Sequence, residues 1–406
     1  MLRPTLLAVG CLLGGTLSLL AVTQQSVSPQ AHDIHFNSIV IDTHDDTTQR
    51  LLDPEFDLGA RHSDGGVDIP RMKEGGLDAI FFSIYISGRI TGPVAVQRAL
   101  QQIAAVRETV TRHPNDLVLC TTAAEVRQAK AANKIAVLMG VEGGHMINND
   151  LANLDKFYTL GVRYMTLTHM VNTDWADSST DKPAHNGLTP FGKQVVVEMN
   201  KLGMMVDISH VSDKTFYDVL ATSQAPVIAS HSSCRALCDA PRNMTDDMIK
   251  ALAAKGGVIQ INYHVGFLSQ EFQDATKKNP EIGKTVESES KKRCGDDEAC
   301  QLIEGDKIIR DFVAQGKLPR VDWSRIVDHI DHAVKLVGAD HVGLGSDFDG
   351  ADMPYGMEDV SHLPQITEAL LAKGYSASDI QKILGGNTLR LMQDVEATSH
   401  RLGGKS

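Results

Sequence analysis

The sequence predicts an α/β protein whose strands close into a (β/α)8 barrel. Three observations predict it. Eight short apolar runs are spaced along the chain, segments of helical periodicity lie between them, and histidines or acids stand at the C-terminal ends of most runs. Strands alternating with helices make βαβ units and a parallel sheet. Eight such strands suit a closed barrel, in which catalytic groups collect at the C-terminal ends of the strands. A doubly wound open sheet is the rival. It calls for a phosphate loop, and "GLGSDF" at 343–348 lacks the last glycine of G-x-G-x-x-G.

The runs follow in order. The first, at 39–41, is β-branched and passes into Asp42, His44, Asp45 and Asp46. The second is "LDAIFFSIYIS" at 77–87, and the third, "KIAVLMGVEGG" at 134–144, ends on Glu142. The fourth, fifth and sixth, "VRYMTLTH", "MMVDISH" and "PVIASH", end on His169, His210 and His231. "GGVIQINYH" at 256–264 is the seventh, and "HVGLGSDFDG" at 341–350 is the eighth, carrying Asp347 and Asp349. His341 opens that last run at the opposite face and reads as structural. Helical spacing marks 93–113, 189–203, 214–223 and 245–256, with Thr189 as N-cap and Pro190 in the first turn of the second. Residues 265–320 are highly charged and read as a largely helical insertion after strand seven, near the barrel mouth. The end of the chain, "SHRLGGKS", reads as a frayed tail.

Composition narrows the function. The chain has 406 residues, 42% hydrophobic and 22% charged, with a formal net charge of −12. Nucleic-acid binding needs a basic face, so no nucleic acid is expected. Arg3, the apolar stretch after it and a polar turn at 23–30 have the order of a secretory signal over residues 1–23, which leaves one domain over 24–406. An exported, periplasmic or secreted protein is expected, with an uncleaved N-terminal anchor as the alternative. No later membrane span is visible. Five cysteines remain outside the signal, and in an exported chain "CGDDEAC" at 294–300 suits a Cys294–Cys300 disulfide. Cys234 and Cys238, four apart, read as lying on the helix after strand six rather than as metal ligands.

The strand ends carry the chemistry. Residues i and i+2 of a strand face one side, so His44 and Asp46 project together into the mouth while Asp45 points away. A neutral nitrogen and an anionic oxygen suit zinc. His210, His231 and Glu142 add three donors. Five exceed the needs of one tetrahedral zinc, and a carboxylate has two oxygens, so Glu142 can bridge two ions.

Seven segments carry a resemblance. "IDTHDD", "GVEGGH", "RYMTLTHMVNTDWAD", "MMVDISHVS", "PVIASHSS", "PRNMTDD" and "VGLGSDFDG", in order between about residues 36 and 390, resemble the successive motifs of the membrane (renal) dipeptidases, peptidase family M19. The resemblance implies a TIM barrel of the metal-dependent amidohydrolase type and a metallo-dipeptidase with two Zn2+ per chain. It assigns His44, Asp46, Glu142, His210 and His231 as zinc ligands, with Glu142 the bridge. It adds His169 as a substrate contact, Arg242 as the residue binding the substrate carboxylate, and Asp347 as the acid/base. It further implies a homodimer, dipeptide substrates and tolerance of a C-terminal D-residue. Asp45 stands where the family often has Asn, and no hydrophobic tail for a lipid anchor follows "GGKS". Two other readings of the same residues are lactam or ester hydrolysis on the same metal pair, and a non-hydrolytic periplasmic maturation protein.

Overall fold

The structure, a computed structural model, describes residues 27–404. The expected signal at 1–23 lies outside the described residues. Nine parallel strands form within them: β1 Ile41–Asp45, β2 Ala79–Tyr85, β3 Leu117–Leu119, β4 Ile135–Glu142, β5 Val162–Thr166, β6 Met205–Asp207, β7 Ile228–Ala229, β8 Val258–Ile261 and β9 Val342–Leu344. Eight pair in chain order as β1-β2-β4-β5-β6-β7-β8-β9, and β3 pairs with β4 off that path. The ring is brought round just past its last strand. The Asp46 N–H donates to the Phe348 carbonyl at 2.9 Å, and the Asp347 N–H donates to the His44 carbonyl at 3.0 Å. A nearly closed eight-stranded barrel results, as the sequence predicts. The sequence reading missed β3, which has three residues between two helices and is too short to stand out as an apolar run.

Alternation along the strands makes two cores. On β2, Ile80, Phe82 and Ile84 join the layer between strands and helices, while Ala79 and Phe81 belong to a second cluster with Ile41, Leu138, Tyr164, Met205, Ile228 and Val258. Leu389, Met392 and Val395 of the C-terminal helix Asn387–Arg401 complete that inner cluster. The frayed-tail expectation is thereby corrected in part. The helix runs through Arg401, and buried Ser399 donates its hydroxyl to the Lys201 carbonyl at 2.5 Å. The segment lacks apolar periodicity, and its order comes from this tertiary contact.

Helices form where spacing and caps place them. Pro93–Arg112 matches its pattern, and Pro190–Leu202 opens on Thr189, whose hydroxyl accepts the Gly192 N–H, and closes on Gly203 at φ 84°. The insertion is helical as expected. Val265–Leu268, Gln270–Lys278, Pro280–Cys294 and Glu298–Ala314 follow β8, the seventh strand on the ring. A Cys294–Cys300 disulfide joins the last two of these helices. Cys234 and Cys238 are not helical, which corrects the sequence reading. They lie in a loop closed by a parallel bridge between Cys234 and Met244, where Arg235 N–H donates to Met244 carbonyl and Met244 N–H to Ser233 carbonyl, each at 2.8 Å. Pairing with residues ten positions away overrides the four-residue spacing. No helix among the described residues is long and apolar enough to cross a membrane.

One glycine is required by the inner core. A Cβ on Gly140 of β4 would lie 1.9 Å from Cζ of Tyr164, whose ring crosses over it from β5. Gly140→Ala should therefore overpack the barrel and cost about 1–3 kcal/mol. Urea unfolding checks this, and stability equal to the parent's would show that the ring has room to move.

Candidate active site

Glu142, the last residue of β4, is 3% exposed and sits among four imidazoles at the barrel mouth. Its Oε1 lies 2.9 Å from His210 Nε2, 3.3 Å from His231 Nε2 and 3.8 Å from His169 Nε2. Its Oε2 faces the other way, 3.4 Å from His44 Nε2, and accepts from the Ser83 hydroxyl at 3.2 Å. His44 Nε2 in turn lies 3.5 Å from Asp46 Oδ2 and 4.0 Å from Asp347 Oδ1. Three groups have donor atoms close enough to share a cation: His44, Glu142 and His231; Glu142, His169 and His210; His44, Asp46 and Asp347. The structure thus brings together every residue that the sequence reading named as a metal ligand, with His169 and Asp347 beside them.

The backbone leaves the ladder to achieve this. The regular strands end at Thr166, Asp207, Ala229 and Leu344, so His169, His210, His231 and Asp347 sit two or three residues past their strands rather than on them. The sequence reading ran the strands too far. A continuing strand would alternate these side chains between the two faces. His210 and Asp347 instead take a left-handed backbone, each at φ 68°. Non-glycine residues adopt that region at a cost of roughly 1–2 kcal/mol, and such strain clusters at functional sites.

A ring of polar side chains that the sequence reading missed aims the imidazoles. Ser230 donates its hydroxyl to Asp207 Oδ2 at 2.6 Å, so the contact of 2.8 Å between Ser230 Oγ and His231 Nδ1 needs the imidazole as donor. That leaves His231 Nε2 as a lone pair facing Glu142. Asp207 is fixed by the N–H groups of Ser209 and Ser230 and the hydroxyl of Thr166. The Tyr164 hydroxyl lies 2.7 Å from His44 Nδ1. Asn262 donates to Asp347 Oδ2 at 2.8 Å. The available signal was a polar atom at an inward position, such as Tyr164 within an otherwise apolar run.

Burial sets the charges. It pushes Asp46 up to about 7, against His44 and aided by Glu142 and Asp347. Burial would also raise Glu142, but the imidazoles around it, His44 and His169 first and then His210 and His231, hold it well below the usual carboxylate range. Burial lowers His169 to about 4 and brings His210 and His231 below an ordinary imidazole, so all three are neutral near pH 7. His44 Nε2 and Asp46 Oδ1 are buried with no hydrogen-bond partner. His210 Nε2 and His231 Nε2 face each other at 2.9 Å. Converging lone pairs, buried carboxylates and partnerless acceptors are the donor set that cations satisfy.

Arg242 stands across the mouth, 4% exposed, in the loop after β7. Its Nη2 donates to the His231 carbonyl at 3.1 Å, while Nε and Nη1 have no partner. Burial lowers it only to about 10, so it remains a cation. Asp46, Glu142, His169, His210, Arg242 and Asp347 line one cleft of about 570 Å3, roofed by Val286, Ser290 and Leu302 of the insertion. His264 also lines it. His341 lies apart, bonded to the Gly257 carbonyl. Asp45 is fully buried and belongs to none of the three cation groups, and Asp349 uses both oxygens on Thr47 and Gly66.

With this geometry in view, the comparisons agree with one another. A profile described as membrane dipeptidase, peptidase family M19, matches residues 28–406. The chain belongs to the membrane dipeptidase family. Dipeptidase 3 of Mus musculus is 35% identical over 348 residues, which are 84% of this chain and 60% of that protein. This family member thus spans about three-fifths of that relative's length. Among solved structures, the probable dipeptidase PvdM from Pseudomonas aeruginosa aligns with a TM-score of 0.75 and 28% identity, covering 91% of this chain and 98% of that one. A metallo peptidase from Rhodobacter sphaeroides, liganded with a phosphinate mimic of the dipeptide L-Ala-D-Ala, aligns at 0.73 and 27%, covering 88% and 100%.

In this M19 chain the Tyr164 hydroxyl holds His44 in place. Tyr164→Phe keeps the ring and removes that contact. It should weaken divalent-metal retention about 10–100-fold, with Tm close to the parent's. Competition for Zn2+ against a chromogenic chelator measures it, and unchanged retention would detach Tyr164 from the site.

Proposed function

We propose that this chain is a binuclear zinc dipeptidase that cleaves dipeptides bearing a free C-terminal carboxylate. The observation that carries this reading is Glu142, one buried carboxylate whose two oxygens face two different sets of donors. His44 and Asp46 lie on the Oε2 side and His210 and His231 on the Oε1 side, so these five residues would hold two zinc ions with Glu142 between them. The donors are nitrogen and carboxylate oxygen, as zinc prefers. When bound, such ions supply Lewis acidity toward a carbonyl and toward water at neutral pH.

The chain's own residues do the rest. Arg242 is a buried cation with Nε and Nη1 left without partners, which supports a charge-assisted contact with the substrate carboxylate. His169 is neutral and borders Glu142, so its ring N–H is available to the oxyanion that develops on the scissile carbonyl. Burial would raise Asp347, but His231 and His44 hold it below the usual carboxylate range. Ionised and oriented by Asn262, it takes the proton of the attacking water and returns it to the leaving amine. Asp349 is excluded from that role because both its oxygens are engaged. With Arg242 gripping one end and the Glu142 cluster the scissile bond, one residue fits between them. Recognition through the carboxylate supports tolerance of a D-residue at the C-terminal position, and the R. sphaeroides relative was solved with a mimic that has one. The same reading takes residues 1–23 as a signal and 24–406 as a single domain, exported and acting as a homodimer.

Purified protein should carry two zinc ions per chain by elemental analysis, and Glu142→Gln should lose at least one. A firm count of one, unchanged by added zinc, would remove the bridge. The substrate class is tested with Ala-Ala and its C-terminal amide. Loss of a charge-assisted pair costs about 1.5–3 kcal/mol, so the amide should be about 10–100-fold poorer in kcat/KM, and Arg242→Lys should narrow that gap. Equal values in the unmutated protein would favour a broader amidohydrolase.

A further inference from the structure

The imidazoles around Glu142 are not held alike. The Tyr164 hydroxyl lies against His44 and the Ser230 hydroxyl against His231. His210 Nδ1 is buried with no partner, and the His169 ring makes no hydrogen bond among the described residues. That ring packs against Tyr85 and His210, with centroids 4.7 and 4.3 Å away. Ring packing alone fixes direction loosely, whereas a donor to a developing oxyanion must stand within hydrogen-bond reach of it. The aim of His169 and His210 therefore depends on their main chain.

That main chain lies past the regular ends of β5 and β6. One side chain meets it at both places. Ser178, 2% exposed, donates its hydroxyl to the His169 carbonyl at 2.6 Å, and the same oxygen lies 3.3 Å from the His210 carbonyl. The next residue adds to the clamp, because the Ser179 N–H donates to the His210 carbonyl at 2.8 Å. An antiparallel bridge pairs Ser178 with Val211.

Ser178 is itself anchored. Its N–H donates to Asn172 Oδ1 at 2.7 Å, and the Asn172 N–H donates to Asp181 Oδ2 at 2.9 Å. Asp177, just before it, is 1% exposed and accepts the N–H groups of Ala184, His185 and Gly187, each at 3.0 Å. No helix or strand forms between β5 and the helix Pro190–Leu202. These bonds give the segment its order, and they deliver one hydroxyl to the gap between His169 and His210.

We propose that Ser178 is a positioning residue for peptide hydrolysis: through the His169 carbonyl it sets where the His169 imidazole stands relative to His210 and the scissile carbonyl. The proposal rests on the dipeptidase reading above. Without the hydroxyl, a carbonyl held at 2.6 Å loses its donor and turns to find another. A displacement of about 1 Å at the reacting groups can cost on the order of 100-fold in rate. The contact of His169 with the oxyanion exists only in the transition state, so the loss falls on kcat and leaves KM alone.

The test is a double-mutant cycle with Ala-Ala as substrate. Ser178→Ala should lower kcat on the order of tenfold, with KM, metal content by elemental analysis and Tm close to the parent's. A phosphinate dipeptide mimic, whose tetrahedral oxygens stand in for the oxyanion, should bind more weakly by a similar factor in calorimetry. In a His169→Ala background the same substitution should change kcat by less than about twofold, because the residue it acts through is gone. Ser178→Thr keeps the hydroxyl and should recover most of the kcat. An unchanged kcat in Ser178→Ala overturns the proposal, as does an undiminished effect in the His169→Ala background. Equal losses in the alanine and threonine variants, or a loss accompanied by lower Tm and lost metal, show a structural role and overturn it too. If His169→Ala keeps the parent's kcat, there is no imidazole role to transmit and the proposal falls while the dipeptidase reading stands. If the unmutated protein cleaves no dipeptide, both fall together.

Discussion

A carboxylate withdrawn from water must be compensated, and Glu142 is that carboxylate. An isolated buried charge is strongly unfavourable, and it persists only with opposing charge or hydrogen bonds around it. Here the compensation comes from five other strands of the ring: His44 from β1, Ser83 from β2, His169 beyond β5, His210 beyond β6 and His231 beyond β7. No one segment of chain could supply all of these. A closed ring of parallel strands does, because the C-terminal ends of all its strands converge on one axis. The barrel is the geometry that makes the buried carboxylate tolerable, and the buried carboxylate is what gives the site two distinct halves.

Holding imidazoles in that arrangement takes a second set of residues. Each imidazole can present a lone pair from Nε2 only if Nδ1 is used as a donor. Ser230 and Asp207 impose that on His231, and Tyr164 is placed to do so for His44. The Tyr164 contact reaches down into the apolar interior, because the ring lies over Gly140 and packs with Phe81 in the inner core. Packing and site chemistry are therefore coupled through one side chain. The left-handed backbone at His210 and Asp347 is a cost of the same arrangement, since these side chains must turn inward after the ladder has ended.

Much of this was legible in the sequence, and the unread parts have physical reasons. Strand positions, the barrel and the donors His44, Asp46, Glu142, His210 and His231 could be read because strong apolar runs end abruptly in residues that resist burial. The insertion could be read because its charge breaks the repeat. β3 was lost because three residues carry no periodicity. Cys234 and Cys238 were misplaced because spacing alone does not reveal that Arg235 and Met244 pair across a loop. Tyr164, Ser230, Asp207 and Asn262 were missed for a further reason. Their roles are defined by contacts between different strands, and nothing in the local pattern separates a hydroxyl that aims an imidazole from one that satisfies a carbonyl.

The insertion decides what the mouth admits. A bare barrel mouth is open to water and to extended chains. In this protein Val286, Ser290 and Leu302 lie over the cleft, and the same helices bring Glu298 to its edge. Arg242 meets the cleft from the opposite arc of the ring. The cleft is thus bounded on one arc by a buried guanidinium and on the other by Tyr85. The loop after β7 carries both His231, which faces Glu142, and Arg242, which bonds the His231 carbonyl, so that loop is tied to the carboxylate on which the site is built, whereas the insertion after β8 covers the cleft without touching that carboxylate.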